Sequence, residues 1–133
     1  MTDDIESLKD FAIADLGEWT VVDRDGARTV GMGGDDITAY DNKYDPKAFQ
    51  VLNPEKIGLS SVIEPHSGAK MLMSIASNGI PNNDWLISPR LNGAAQTVRF
   101  FARSFIDSYG LERMRLLYST TDSDPDHFIS YYD

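Results

Sequence analysis

Asn82-Asn83-Asp84-Trp85-Leu86-Ile87-Ser88-Pro89-Arg90 holds a polar turn, a short apolar strand and a strand-ending proline in one continuous stretch. In an extended segment Trp85 and Ile87 point to one side and Leu86 and Ser88 to the other. Pro89 has no N–H to give to a sheet ladder, so the strand stops there. The stretch therefore predicts a strand over 84–88 with a marked beginning and end.

The same grammar recurs on both sides of it. Trp19 to Val22 is a β-favouring run closed by Asp23-Arg24-Asp25-Gly26, whose carboxylates cap their own backbone and whose glycine tolerates positive φ. Ala48 to Leu52 is a further run, stopped by Pro54. Lys70 to Ala76 is apolar and lies between Ser-Gly and Asn-Gly, as a strand buried on both faces would. Thr97 to Phe105 alternates, with Val98, Phe100 and Ala102 on one face, and Arg113 to Ser119 does the same with Met114, Leu116 and Tyr118. Strands are thus expected at 19–22, 48–52, 70–76, 84–88, 97–105 and 113–119, with Trp19, Trp85, Ile87, Phe100 and Leu116 buried. Many short strands with turn signals between them imply an all-β chain, an antiparallel sandwich forming one domain over 1–133. The Gly-, Asp- and Pro-rich run 31–47 reads as a long loop inside that domain.

Composition narrows the function classes. A chain of 133 residues is large enough to bury a core without staples, and the absence of cysteine excludes disulfide frameworks and thiolate metal sites. Twenty-one acidic against twelve basic residues give a formal charge of -9, which repels nucleic acid and anionic membrane surfaces and suits cations. No apolar run reaches membrane-spanning length. Residues 1–15 carry five carboxylates and lack the basic start and apolar middle of a signal peptide.

Catalytic constellations are sparse. The histidines are His66 and His127 alone, which leaves little for chemistry that needs paired imidazoles. His66 and Ser67 are neighbours, and neighbours on a strand point to opposite faces. Glu18, Glu64 and Glu112 flank strands, but no spacing selects a pair from them as a glycosidase requires. The expectation is a protein that binds without turning anything over. Calcium asks for six to eight oxygens, and Asp23 and Asp25 in a tight Asp-Gly turn begin such a loop. Tyr40 and Tyr44, set among Asp41, Asn42 and Asp45, are the aromatic candidates for contact with a sugar or protein ligand.

A resemblance sharpens these expectations. Pro65-His66-Ser67-Gly68-Ala69-Lys70-Met71-Leu72, the stretch 82–90, Ala95 through Ser104, Tyr109-Gly110-Leu111-Glu112-Arg113 and Leu117-Tyr118-Ser119-Thr120-Thr121 follow one another as in the cleaved-adhesin family, also called choice-of-anchor J, which is related to the MAM-like jelly rolls. Glu18 through Gly26 and Asp3 through Ser7 resemble that family's opening. The resemblance implies a jelly-roll sandwich, a bacterial protein secreted or held at the cell surface, adhesion to a glycan or a protein, and structural calcium with Glu6 among its ligands. It places Ile5 to Ser7 in a first strand, where the spacing of Ile5, Leu8, Phe11 and Ala12 alone would offer a helix over 4–15. Ala27 and Arg28 depart from the family's continuation after Asp25-Gly26. The family domain runs on through further strands to an acidic pair, so the chain matches roughly two-thirds of it, as a fragment, with self-association as one way to complete the sheet. Two other roles fit the same likeness: a targeting domain appended to a peptidase or glycosidase, and a spacer in a surface array.

Overall fold

Strand β1 (Thr20–Asp23) lies antiparallel to β4 (Asp84–Ile87), pairing Thr20 with Ile87, Val21 with Leu86, Val22 with Trp85 and Asp23 with Asp84. The computed structural model describes residues 5–33, 39–110 and 112–132. In it the chain divides into two compact units, Met1–Leu91 and Asn92–Asp133. Its described secondary structure is mostly β: short antiparallel strands in two-stranded sheets, with two single turns of 3-10 helix. Among the described residues no helix is long and apolar enough to cross a membrane.

The core of the first unit forms around β2 (Gln50–Leu52), which pairs antiparallel with β3 (Met71–Met73). Val51 and Leu52 are wholly buried, and Leu16, Ala48, Ile57, Leu59, Ile63, Ile75 and Ile87 pack in the same unit. The N-terminal segment closes the outer side of β2. Phe11 N–H donates to Val51 O at 2.7 Å and Val51 N–H to Ala12 O at 2.9 Å, so β2 finds backbone partners on both edges. Gln50 is also wholly buried and spends its amide N–H groups on Phe11 O and Asp41 O, both at 3.0 Å. After Asn53, the turn Pro54–Ile57 exploits the fixed φ of proline at its start and ends at Gly58, whose φ of 72° reverses the chain.

The buried Lys47 ties the loop before β2 together. Its ammonium donates to Thr29 Oγ1 at 2.6 Å, Asn42 O at 2.8 Å, Asp45 O at 3.0 Å and Lys43 O at 3.3 Å. Burial pushes its pKa down to about 8, against the opposing pull of the Asp45 and Asp84 carboxylates.

In the second unit β5 (Leu117–Tyr118) pairs antiparallel with β6 (Ile129–Ser130), and Tyr131 N–H extends the ladder to Leu116 O at 2.9 Å. Between them Asp124 caps the 3-10 turn Pro125–His127 by accepting from Asp126 N–H, and Asp122 holds His127 Nδ1 at 2.8 Å.

Four expected strands are present: 19–22 shifted by one residue as β1, and 48–52, 70–76 and 84–88 in shortened form as β2, β3 and β4. The strand expected at 113–119 shrinks to Leu117–Tyr118. The strand expected at 97–105 is absent, because no neighbouring segment among the described residues offers it a ladder, and alternation alone does not make a strand. Phe100 and Leu116, expected inside, are 54% and 43% exposed. Ile87 is buried, while Trp19 and Trp85 are half-buried. Residues 5–15 are a succession of turns, neither helix nor strand. Ile5, Phe11 and Asp15 take φ of 51°, 63° and 56°, and each left-handed residue ends whatever regular structure precedes it.

Candidate metal centre

The register of β1 against β4 makes Asp23 and Asp84 the last pair of the ladder, and directly opposite residues project to the same face. The chain then turns through Asp25. Asp23 Oδ1 accepts from Asp25 N–H at 3.0 Å and Gly26 N–H at 2.7 Å, and Gly26 completes the turn with a φ of 64°. Arg24 N–H donates to Asn83 O at 3.0 Å, while Asn83 N–H donates to Asp25 Oδ2 at 2.7 Å, which fastens the turn to the residue before β4. The outcome is a group of three carboxylates, Asp23, Asp25 and Asp84, each half-buried, offering oxygens within 4.8 Å of one another.

Hydrogen bonds hold this group from behind. Asp25 Oδ1 accepts from Ala27 N–H and from Ser77 Oγ, both at 3.0 Å. Asp84 Oδ2 accepts from Ser74 Oγ at 2.6 Å and Asn82 Nδ2 at 2.8 Å. Asn82 is itself fixed, since its Oδ1 accepts from Ser77 N–H at 2.6 Å and its Nδ2 donates to Ile75 O at 2.9 Å. Asp84 Oδ1 stands apart: it is buried and has no hydrogen-bond partner.

The electrostatics of the three differ. Burial raises the pKa of Asp84 to about 6; the hydrogen bonds from Ser74 and Asn82 oppose that rise and the charges of Asp25 and Asp23 add to it. Burial works against ionised Asp25 as well, but Asn83 N–H, Ala27 N–H and Ser77 Oγ outweigh it and hold that carboxyl below its ordinary value. Asp84 is therefore ionised near neutral pH against the preference of its surroundings.

Such a donor set suits a hard divalent cation. Opposite ligands of a calcium ion at 2.3–2.6 Å stand about 5 Å apart, so oxygens that all lie within 4.8 Å can share one ion.

The residues expected from sequence are distributed unevenly. Asp23 and Asp25 meet, but the residue that joins them is Asp84, not Glu6. Glu6 Oε1 instead accepts from Ala69 N–H at 3.0 Å and Lys70 N–H at 3.1 Å, and Lys70 Nζ returns to Glu6 O at 3.0 Å and Leu8 O at 2.6 Å. Glu6 is thus the cap of the turn before β3. Tyr40 and Tyr44 are half-buried and share Lys43, whose ammonium lies 5.7 Å and 5.2 Å from their ring centroids. Tyr40 also stacks on Phe11 with centroids 4.9 Å apart and accepts Met32 N–H at its hydroxyl, 2.8 Å away. The second expected pair is therefore built into the loop it was expected to decorate.

Compared with known proteins, the chain matches no family model, no curated protein and no solved structure.

Proposed function

We propose that the chain is a binding module without catalytic turnover, secreted or displayed at a bacterial surface, in which a jelly-roll-like sandwich holds a glycan or a protein and calcium clamps its β1–β4 end. The observation that carries this reading is the meeting of Asp23, Asp25 and Asp84, which offer carboxylate oxygens within 4.8 Å of one another. The antiparallel pairings of β1 with β4 and β2 with β3 are compatible with a sandwich, and the sequence likeness to the cleaved-adhesin family supports the surface location. In this role the ion is structural. It joins the turn after β1 to the start of β4 and so fixes the loops at that end.

Thermal melting in chelator and in calcium tests it. With the affinity of extracellular calcium modules, a Kd of about 10⁻⁴ to 10⁻³ M, calcium at about ten to a hundred times Kd stabilises by about 1.4–2.7 kcal/mol. For a chain of this length that is a rise in Tm of about 5–10 °C. Asp84→Asn should lose the rise. An unchanged Tm in the parent chain would remove the metal from the reading. Turnover of a peptidase or glycosidase substrate, abolished by one Asp, Glu or Ser substitution, would overturn the non-catalytic assignment.

A further inference from the structure

Asn92-Gly93 opens the second unit, immediately after Leu91, in a stretch that is exposed throughout. The asparagine side chain is nevertheless held. Asn92 Oδ1 accepts from Ala94 N–H at 3.0 Å and from Gln96 Nε2 at 3.1 Å. The first of these bonds folds the side chain back over the peptide that follows it, as asparagine side chains do in turns. The nitrogen of that peptide belongs to Gly93, which has a φ of 74° and open space where a Cβ would stand. Asn92 Cγ is thus kept on the side of an uncrowded backbone nitrogen.

We infer that Asn92 is a site of spontaneous modification, at which the side-chain amide is converted to aspartate and isoaspartate through a succinimide. Hydroxide removes the Gly93 N–H proton and the nitrogen attacks Asn92 Cγ, so that an N–Cγ bond forms and the charge passes to Oδ1. Ala94 N–H and Gln96 Nε2 already donate to that oxygen, and donors set in advance against a developing oxyanion lower the barrier to forming it. As the carbonyl re-forms, the Cγ–Nδ2 bond breaks, and Nδ2 takes a proton from water and leaves as ammonia, which restores the hydroxide. Water then opens the ring. Opening at Cγ gives aspartate, and opening at the main-chain carbonyl carbon gives isoaspartate, in which the chain runs on through Cγ. Water enters and ammonia leaves, with no oxidant or reductant. The product adds a negative charge to a chain already at -9. As isoaspartate it also lengthens the backbone at the first residue of the second unit.

The other Asn-Gly pair is the comparison. Asn78 and Gly79 are exposed too, and Gly79 has a φ of 86°. Asn78 N–H, however, donates to Arg28 O at 2.7 Å, and the preceding Ser77 is bridged to Thr29. Closing the ring requires the main chain around the asparagine to turn until nitrogen and Cγ meet, and a backbone tied to its neighbour resists that turn. Asn92 belongs to no strand and is free of this restraint.

Holding the full chain in mildly alkaline buffer and then digesting it with trypsin tests the inference, because residues 91–99 and 71–90 fall on separate peptides. The expected result is a split of the 91–99 peptide into aspartate and isoaspartate forms, resolved by chromatography, ahead of any change at Asn78. Gln96→Leu should slow the conversion of Asn92 about fivefold, as the loss of one hydrogen bond to the oxyanion would, and leave Tm and the rate at Asn78 unchanged. The rate at Asn92 should rise with pH in parent and variant alike, since hydroxide makes the nucleophile. Conversion of Asn78 before Asn92, an unaffected Gln96→Leu, a rate independent of pH, or aspartate formed without isoaspartate would overturn the inference.

Discussion

Asp23 and Asp84 oppose each other as the final pair of the β1–β4 ladder, two like charges at a position where cross-strand neighbours ordinarily attract. Such a pair weakens the metal-free sheet end, and a cation reverses the sign of the interaction. Asp84→Asn should therefore leave the metal-free chain as stable as the parent or more so, by up to about 1 kcal/mol, while removing the calcium response. Melting both proteins in chelator and in calcium checks the two halves together. A metal-free loss of several degrees would show that the Asp84 carboxylate serves the fold through Ser74 and Asn82 alone.

Stability should also depend on pH through this residue. The folded-state pKa of Asp84 is raised to about 6 from an ordinary 3.8, so the fold prefers its protonated form. Its contribution is fully present below about pH 4 and is lost as pH rises through 6. For a half-exposed group, solvent screening reduces this to about 1 kcal/mol. The metal-free Tm should fall between pH 4.5 and 7, and the calcium-induced rise should grow over the same interval as the carboxylate ionises. Asp84→Asn should flatten both slopes; a parent profile already flat in chelator would contradict the assigned environment.

How much of this was legible in the sequence depends on whether the signal was local. Pro89, Pro54 and the Asp25-Gly26 turn are local punctuation, and the strands they bound lie close to where they were expected. Alternation at 97–105 is local too, but a strand needs a partner for its N–H and C=O groups, and the pattern is silent about partners. The candidate metal centre divides in the same way. Asp23 and Asp25 share a turn and are visible together. Asp84 stood in the most informative stretch of the chain but reads only as a strand's first residue until register sets it opposite Asp23. Pairing Trp19–Val22 with 84–88, anchored at their turn ends, was the available route to it. The role of Glu6 was beyond reach, since its partners are backbone N–H groups more than sixty residues away.

Glu6→Ala separates the two roles once open to that residue. It removes the acceptor of Ala69 and Lys70 N–H, charge-assisted bonds whose loss costs about 1.5–3 kcal/mol. Gly68→Ala should act similarly, because Gly68 has a φ of 66° and a Cβ there would run into the Glu6 carboxylate. Both variants should melt several degrees lower than the parent and retain the full calcium shift. A calcium response lost in Glu6→Ala would restore that residue to the metal centre.

Lys47→Met should be among the most damaging single substitutions in the loop. It keeps the apolar stem but deletes the ammonium to which Thr29 Oγ1, Asn42 O and Asp45 O are bonded inside the protein. Leaving such acceptors unpaired costs about 1–3 kcal/mol. In the parent the folded pKa, pushed down to about 8, lies below the ordinary 10.5, so the charged amine opposes folding below pH 8. That opposition is relieved as pH rises from 8 towards 10.5. Denaturant melts across this range should show an alkaline gain in the parent and none in Lys47→Met.

The second unit leaves large apolar side chains in solvent: Tyr109 is 93% exposed, Phe101 74% and Met114 67%. Among the described residues β5 pairs only with β6, so the two-stranded sheet of this unit has open edges as well as uncovered side chains. Open edges combined with apolar surface favour association through strand pairing. The chain should bind a hydrophobic dye and show an apparent mass that increases with concentration in light scattering. Replacing Phe101 and Met114 with serine should reduce both effects without lowering the Tm of the first unit, whose core at Val51 and Leu52 contains neither residue. A monomer that excludes the dye at every concentration would show that these side chains are covered in solution.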